Sequence, residues 1–141
     1  MANDDTLSQM LLFSVETINE FGPITGPSPL FHLKKRRGEG SRSIQATNTY
    51  ALSTNELNKK ITGMLNEEMP QGTVLSVNLT APNGARSTGT QPLSTIPVDL
   101  VIEVSEVNEE GLPIVYLFQV APDTHSVPMT TRVVIYTLTD E

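Results

Sequence analysis

The sequence contains no cysteine and no tryptophan, and aromatic residues make up only 5% of its 141 positions. Without cysteine the chain has no disulfide framework, no thiolate nucleophile and no cysteine-ligated metal site. It also has no apolar run near the roughly 20 residues that a membrane-spanning helix needs. Asp4 and Asp5 stand where a signal peptide would carry positive charge, so we expect a protein that is not exported by the general route and has no membrane partner.

Basic residues are scarce as well: nine lysines and arginines stand against sixteen aspartates and glutamates, for a formal charge of −7. A chain with this balance is not drawn as a whole to nucleic acid or anionic lipid. Most of the positive charge lies in 34–42, whereas 95–141 holds eight acidic residues and Arg132 as its one lysine or arginine. With 38% hydrophobic residues over this length, we expect one domain, 1–141, around one core.

Hydrophobic residues recur at helical spacing near the start of the chain. The stretch 6–21 carries them on one broad stripe, with a T-x-x-Q capping box in front and Gly22-Pro23 behind. This pattern predicts a helix within 1–21. Leu12 and Phe13 fall on the flanks of the stripe, so either loops of the same chain or another subunit covers them. The second interpretation places both residues in an oligomer interface.

A second helix is predicted over 52–69. Ser53 and Glu56 form an S-x-x-E capping box, and Leu52 and Leu57 occupy the two positions of a hydrophobic staple. The apolar residues that follow form a narrow stripe at helical spacing. We therefore expect an amphipathic helix packed on the core.

The connector 22–51 between the two predicted helices shows no periodicity and is rich in proline and glycine. A structureless stretch of this length within a compact domain is typical of a functional arm, a binding loop or a linker. We expect an extended arm that lies on a neighbouring subunit. Leu30 and Phe31, the large apolar pair of this arm, join Leu12 and Phe13 as predicted interface residues.

The connector also carries a basic cluster, made of Lys34, Lys35, Arg36, Arg37 and Arg42. Such a cluster can neutralise phosphates of packaged DNA, or it can dock on the acidic surface of a neighbouring copy. The second interpretation is favoured, because no aromatic residues are interleaved with the basic ones as single-strand binding would require. A solvated loop and a nuclear-import signal are the remaining alternatives.

After Gly72 the hydrophobic period changes from 3.6 to 2, which is typical of β-structure. The links between the segments are short, so neighbouring strands are expected to pair antiparallel within the region 73–139. A polar loop, 82–95, separates the first two strands. The predicted strands are 73–80, 96–107, 112–121 and 127–139, of which the third is expected to be central, or covered on both sides, because both of its faces are apolar.

No combination of residues predicts catalysis. There is no G-x-S-x-G elbow, and the two histidines, His32 and His125, lie in different loops of the predicted layout. Asp99 and Glu103 would share one face of a strand, where solvated charges are commoner than paired catalytic carboxylates. We therefore predict no catalytic residue, cofactor, metal or small-molecule substrate.

The order of these parts resembles that of small structural proteins of tailed-phage virions. The resemblance spans the N-terminal segment, the arm with KKRRGEGSR, the segment STNELNKKITGML and a C-terminal meander that ends in RVVIYTLTDE. It implies neck, tail or capsid-associated subunits that assemble in rings or lattices, with other virion proteins as partners and the virion, built in the host cytoplasm, as their location.

The sequence therefore predicts an α+β domain, with two helices on a mostly antiparallel four-stranded sheet or small sandwich. The predicted function is that of a non-enzymatic, self-assembling homo-oligomeric subunit. The alternative is a monomeric binding module that presents 22–51 and 82–95 as recognition loops on a β-scaffold.

Overall fold

The computed structural model describes the backbone of residues 6–18, 21–25, 30–36, 42–121 and 127–141, and the side chains of 43–121 and 130–141. These residues form eleven strands and no helix, so none of them lies in a helix that could span a membrane. The strands are β1 (Thr6–Ile18), β2 (Phe21–Thr25), β3 (Leu30–Arg36), β4 (Arg42–Thr54), β5 (Lys59–Leu65), β6 (Thr73–Leu79), β7 (Arg86–Ser87), β8 (Gln91–Pro92), β9 (Val98–Val104), β10 (Val107–Val120) and β11 (Val127–Asp140).

The strands form two sheets that enclose one core. The six-stranded sheet has the order β3-β1-β11-β5-β9-β7, and the five-stranded sheet has the order β2-β4-β10-β6-β8. All pairs are antiparallel except β1 with β11, which is parallel. Both sheets contribute fully buried side chains to the same apolar cluster, so the molecule is a β-sandwich.

The C-terminal half follows the expected pattern of alternating burial. Along β10 the buried positions are Leu112, Ile114, Tyr116, Phe118 and Val120, two residues apart, as period-2 alternation requires. β10 lies between β4 and β6 in the middle of its sheet. The four predicted strands of 73–139 correspond to β6, β9, β10 and β11, and the third of them is central as predicted. The expected pairing of successive strands is wrong, because β6 and β10 belong to one sheet and β9 and β11 to the other, so that only β6 and β10 pair.

The predicted α+β class is wrong, and the segment 52–69 shows one reason. Its central part is strand β5, which lies between β11 and β9 in the sheet. Every second residue of β5 is buried, namely Ile61, Gly63 and Leu65. Of the capping box, Ser53 lies in β4 opposite Asn108, and Glu56 lies just after β4, where its N–H donates to Thr54 Oγ1 at 3.1 Å. Serine and threonine form such bonds in turns as readily as they cap helices, so the local signal does not distinguish the two structures.

The helix predicted within 1–21 is also wrong, because 6–18 is strand β1. β1 pairs in parallel with β11 on one side and antiparallel with β3 on the other. These two neighbours supply the backbone partners that a helix would supply within itself. Tertiary pairing has overridden a period of 3.6 residues in the sequence, which is common because strand formation depends strongly on context.

The connector 22–51 is not a structureless arm. It contains β3, nearly all of β2 and most of β4, and β4 pairs with β10 from Arg42 to Thr54. The predicted loop 82–95 contains β7, which pairs with β9, and β8, which pairs with β6. Residues 82–95 therefore cross from one sheet to the other and close that side of the sandwich.

Gly63 in β5 leaves room for the side chain of Leu100 from the neighbouring strand β9. A Cβ at this position would lie 2.6 Å from Leu100 Cδ1 and 3.4 Å from Leu93 Cδ2. Leu100 is fully buried and occupies the space that a larger side chain at 63 would need. Glycine within a strand is typical of such a close approach.

Candidate functional site

The residues that could suggest catalysis are not brought together in the described part of the chain. His32 lies in β3 opposite Met10 of β1, and His125 lies outside the described residues. Among the described residues, no group of three or more histidines and carboxylates is arranged to hold a metal ion.

Asp99 and Glu103 do not act as a pair either. Asp99 forms an ion pair with Lys60 at 3.1 Å, and Glu103 forms one with Arg86 at 3.3 Å. The pairing of β9 with β5 shifts register twice. One shift lies between Val101 and Val104 of β9 and contains Glu103, which has a φ of 61°. The shifts bury Leu100 and Val101 side by side, so the simple alternation expected for this strand is wrong.

The strand register places most of the basic cluster at one end of the sandwich. Lys34, Lys35 and Arg36 are the last residues of the edge strand β3, opposite the first residues of β1. Because β1 is parallel to β11, they lie level with the beginning of β11. Arg42 begins β4, opposite Val120 at the end of β10 and therefore at the same end. We call these four positions the basic end; Arg37 lies outside the described residues.

The predicted interface residues fall on two neighbouring strands. Leu12 in β1 is opposite Leu30 in β3, and Phe31 is opposite Leu11. Phe13 is opposite Arg132 in β11. β1 is therefore an interior strand with a neighbour on each side, whereas Leu30 and Phe31 belong to an edge strand. The backbone of Leu12 and Phe13 is paired within the chain, and the place of both residues in an oligomer interface stays a prediction.

The opposite end of the sandwich is acidic. Three segments meet there: the link 55–58 between β4 and β5, the link 105–106 between β9 and β10, and the end of β11. We call this set of carboxylates the acidic end: Glu56, Glu103, Glu106, Asp140 and Glu141. The acidic excess of 95–141 is visible in the sequence, but this grouping is not, because it depends on the pairing of strands far apart in the chain.

Lys59 lies within the acidic end. Its Nζ is 2.6 Å from Glu56 Oε2 and 2.6 Å from Asp140 Oδ1, and its side chain is only 15% exposed. The hydrogen bonds that Lys59 donates to the carboxylates of Asp140 and, second, Glu56 raise its pKa above the usual range. One ammonium between two carboxylates leaves the site with a net negative charge.

Backbone hydrogen bonds hold the three segments together. The Glu106 N–H donates to the Glu56 carbonyl and the Glu141 N–H to the Asn58 carbonyl, each at 2.9 Å. The Glu103 N–H donates to Glu141 Oε1 at 2.7 Å. Asn58, Glu103 and Glu106 have φ values of 56°, 61° and 50°, in the left-handed region that residues other than glycine seldom adopt. The acidic end is therefore a constrained surface and not a set of loose loops.

Each end of the sandwich also has an open groove and an exposed apolar side chain. At the acidic end, a groove of about 460 Å³ is lined by 53–55 and 106–108, and Leu57 is 58% exposed. At the basic end, a groove of about 310 Å³ is lined by 72–74 and 119–121, and Val74 is 41% exposed. These surfaces suit contact with a macromolecule better than enclosure of a small ligand.

Comparison with known proteins gives no assignment: no protein-family model matches the chain, and no curated protein matches it significantly.

Proposed function

We propose that this chain is a non-enzymatic structural subunit that self-assembles into a ring or lattice, with the virion as its setting. The observation that carries the proposal is the charge polarity of the sandwich, since basic strand ends and an acidic surface lie at opposite ends of one body. Surfaces of opposite sign on one molecule favour association of identical copies. The proposed partners are further copies of this chain and other virion proteins.

The use of the described charged groups supports a structural role. The ion pair between Lys59 and Asp140 joins β5 to β11, and the pair between Lys60 and Asp99 joins β5 to β9. Arg132 contacts Glu67 and donates to the Glu68 carbonyl. These contacts link strands and turns, which is typical of side chains that hold a scaffold together.

The strands of 22–51 favour a form of assembly other than the exchanged arm that the sequence predicts. β2, β3 and β4 pair with strands of their own chain, so the connector 22–51 is used within the subunit. We therefore propose that assembly uses preformed surfaces of the sandwich.

The alternative, a monomeric module that binds through 22–51 and 82–95, has less support. Within 82–95, the Thr88 N–H donates to the Leu100 carbonyl at 2.9 Å, and the Leu93 N–H donates to the Leu75 carbonyl at 2.9 Å. A recognition loop needs exposed groups that are not already bonded within the protein. This segment instead fastens the two sheets to each other.

Light scattering coupled to size-exclusion chromatography tests the proposal. We expect a mass above the 15.4 kDa of one chain at micromolar concentration in low salt, and a lower mass as salt is raised. A mass of one chain at every concentration and salt level would contradict self-assembly and favour the monomeric module.

A further inference from the structure

We infer that copies of this chain associate head to tail, with the acidic end of one subunit seated on the basic end of the next. The inference rests on the proposed self-assembly and specifies the two surfaces involved. The partner is a second copy of this chain, because the basic and acidic surfaces that match each other are both present on one molecule.

The acidic end retains negative charge that the chain does not neutralise. Within it, Glu56 and Asp140 share Lys59, and Glu103 contacts Arg86. Glu106 borders the 460 Å³ groove and is exposed. The five carboxylates therefore exceed the nearby basic groups, which are Lys59 and Arg86. A cationic surface is the partner that this end favours.

The basic end carries the opposite charge. Lys34, Lys35 and Arg36 follow one another on an edge strand, and Arg42 begins β4 at the same end. Lysines on an edge strand also oppose the addition of another strand to its free edge. Association through this end is therefore expected to use side-chain charge, and not continuation of the sheet.

Apolar contacts complement the charges at both ends. Leu57 is exposed beside the acidic residues, and Val74 is exposed beside a groove at the basic end. Exposed apolar groups surrounded by polar residues are typical of protein interfaces. Each end thus combines one exposed apolar side chain with charges opposite to those of the other end.

The positions of the two ends determine the symmetry of the contact. Two different surfaces at opposite ends of one body make a heterologous contact, which produces a ring if the rotation closes and a filament if it does not. A two-fold dimer through either end alone would place like charges together, which disfavours it. Both rings and filaments agree with the proposed function.

Charge reversal at each end tests the inference by sedimentation equilibrium. We expect Glu106→Lys and Lys35→Glu each to raise the dissociation constant at low salt by about tenfold or more. The control is Asp99→Lys, which makes the same change in net charge as Glu106→Lys at a 47% exposed side chain midway along the sheet, opposite Thr62 of β5. The control is expected to assemble like the wild type.

Mixing the two reversed variants provides the decisive measurement. Glu106→Lys keeps its basic end and Lys35→Glu keeps its acidic end, so a 1:1 mixture can form the original contact and is expected to recover association. If the wild type assembles but neither reversal weakens it, or if the mixture recovers nothing, the head-to-tail contact is wrong while self-assembly stands. If the wild type does not assemble, both proposals are wrong.

An apolar pair of variants separates a specific contact from general charge effects. Leu57→Ser is expected to weaken association, whereas Ile96→Ser, which removes a 73% exposed side chain from the link before β9, four strands away from β3, is expected not to. Equal effects of the two substitutions would contradict the assignment of Leu57 to the interface.

DNA binding is the other possible role of the basic end. A gel-shift titration with duplex DNA at low salt distinguishes this role from association of copies. Weaker DNA binding by Lys35→Glu, with unchanged self-association in both reversed variants, would overturn the head-to-tail inference in favour of a nucleic-acid contact.

Discussion

The hydroxyl of Tyr136 donates a hydrogen bond to the hydroxyl of Tyr116 at 2.6 Å, inside the core. Tyr136 belongs to β11 in the six-stranded sheet and Tyr116 to β10 in the five-stranded sheet, so this bond joins the two sheets. Both side chains are fully buried. Among the side chains that the structure describes, no buried nitrogen or oxygen lacks a hydrogen-bond partner, which is what a stable core requires.

Removal of one hydroxyl from this pair is expected to lower the free energy of unfolding. The loss should exceed half of the loss that removal of both hydroxyls causes. Tyr136→Phe or Tyr116→Phe deletes one partner of a buried bond, and we expect a loss of about 1–2 kcal/mol in the free energy of unfolding. The double variant is expected to lose less than the sum, with a coupling energy of at least about 0.5 kcal/mol. Urea denaturation of all four proteins measures the cycle, and additive losses would show that the bond does not stabilise the fold.

All three tyrosines of the chain, Tyr50, Tyr116 and Tyr136, are expected to resist ionisation in the folded protein. Burial raises the pKa of each phenol above its usual value of 10. The unfolded chain ionises near pH 10, so its deprotonation lowers stability as the pH rises beyond that value. Ultraviolet titration should show tyrosinate absorbance only together with unfolding. Absorbance near pH 10 with unchanged circular dichroism would contradict this.

Gly63→Ala is expected to destabilise the sandwich. The added methyl would lie 2.6 Å from Leu100 Cδ1 in a core where Leu100 has no exposed surface. Overpacking of this kind costs about 1–3 kcal/mol. Thermal unfolding measures the loss, and the double variant Gly63→Ala/Leu100→Val provides a test of the cause, because removal of a methylene at 100 should restore part of the stability.

Stability is expected to fall in acid partly through Glu68. Thr95 donates to the Glu68 carboxylate from its hydroxyl and its N–H, at 2.5 Å and 3.0 Å, and these bonds lower the pKa of Glu68. A group with a lowered folded pKa stabilises the fold above its unfolded pKa, and this contribution is lost as the pH falls through the folded value.

Glu68→Gln should therefore be less stable than the wild type at pH 7, and the difference should shrink as the pH falls below about 4. Urea denaturation from pH 7 to pH 3 measures it. Glu110→Gln is the matched control, at an exposed carboxylate. A difference between wild type and Glu68→Gln that is constant with pH would show that the Thr95 contact has no electrostatic component.

The C-terminal strands could be predicted from the sequence because their pattern is local. Alternation from Leu112 to Val120 reflects the burial of one face of β10, and the same residues carry that information in the sequence. The predictions for 52–69 and 6–18 were wrong because their apolar residues fit a helical period and a strand equally well. In β5, Gly63 occupies a buried position without adding a hydrophobic residue to the pattern, which obscured the alternation.

The candidate site was predictable only in part. The basic residues were identified from their sequence, because four of them are adjacent. The acidic end was not, since Glu56, Glu106 and Asp140 are far apart in the chain and meet only through the pairing of β5 with β11 and the hydrogen bond between Glu106 and Glu56.

The sequence by itself determined the absence of cysteine chemistry, the net negative charge, the clustering of the basic residues and the β character of the C-terminal half, because composition and period-2 burial are local properties. Tertiary structure decided that 6–18 and 59–65 are strands and that opposite charges lie at opposite ends. The reason is that strands obtain their hydrogen-bond partners from distant segments, so the pairing and the charge pattern that follows from it are set by the whole chain.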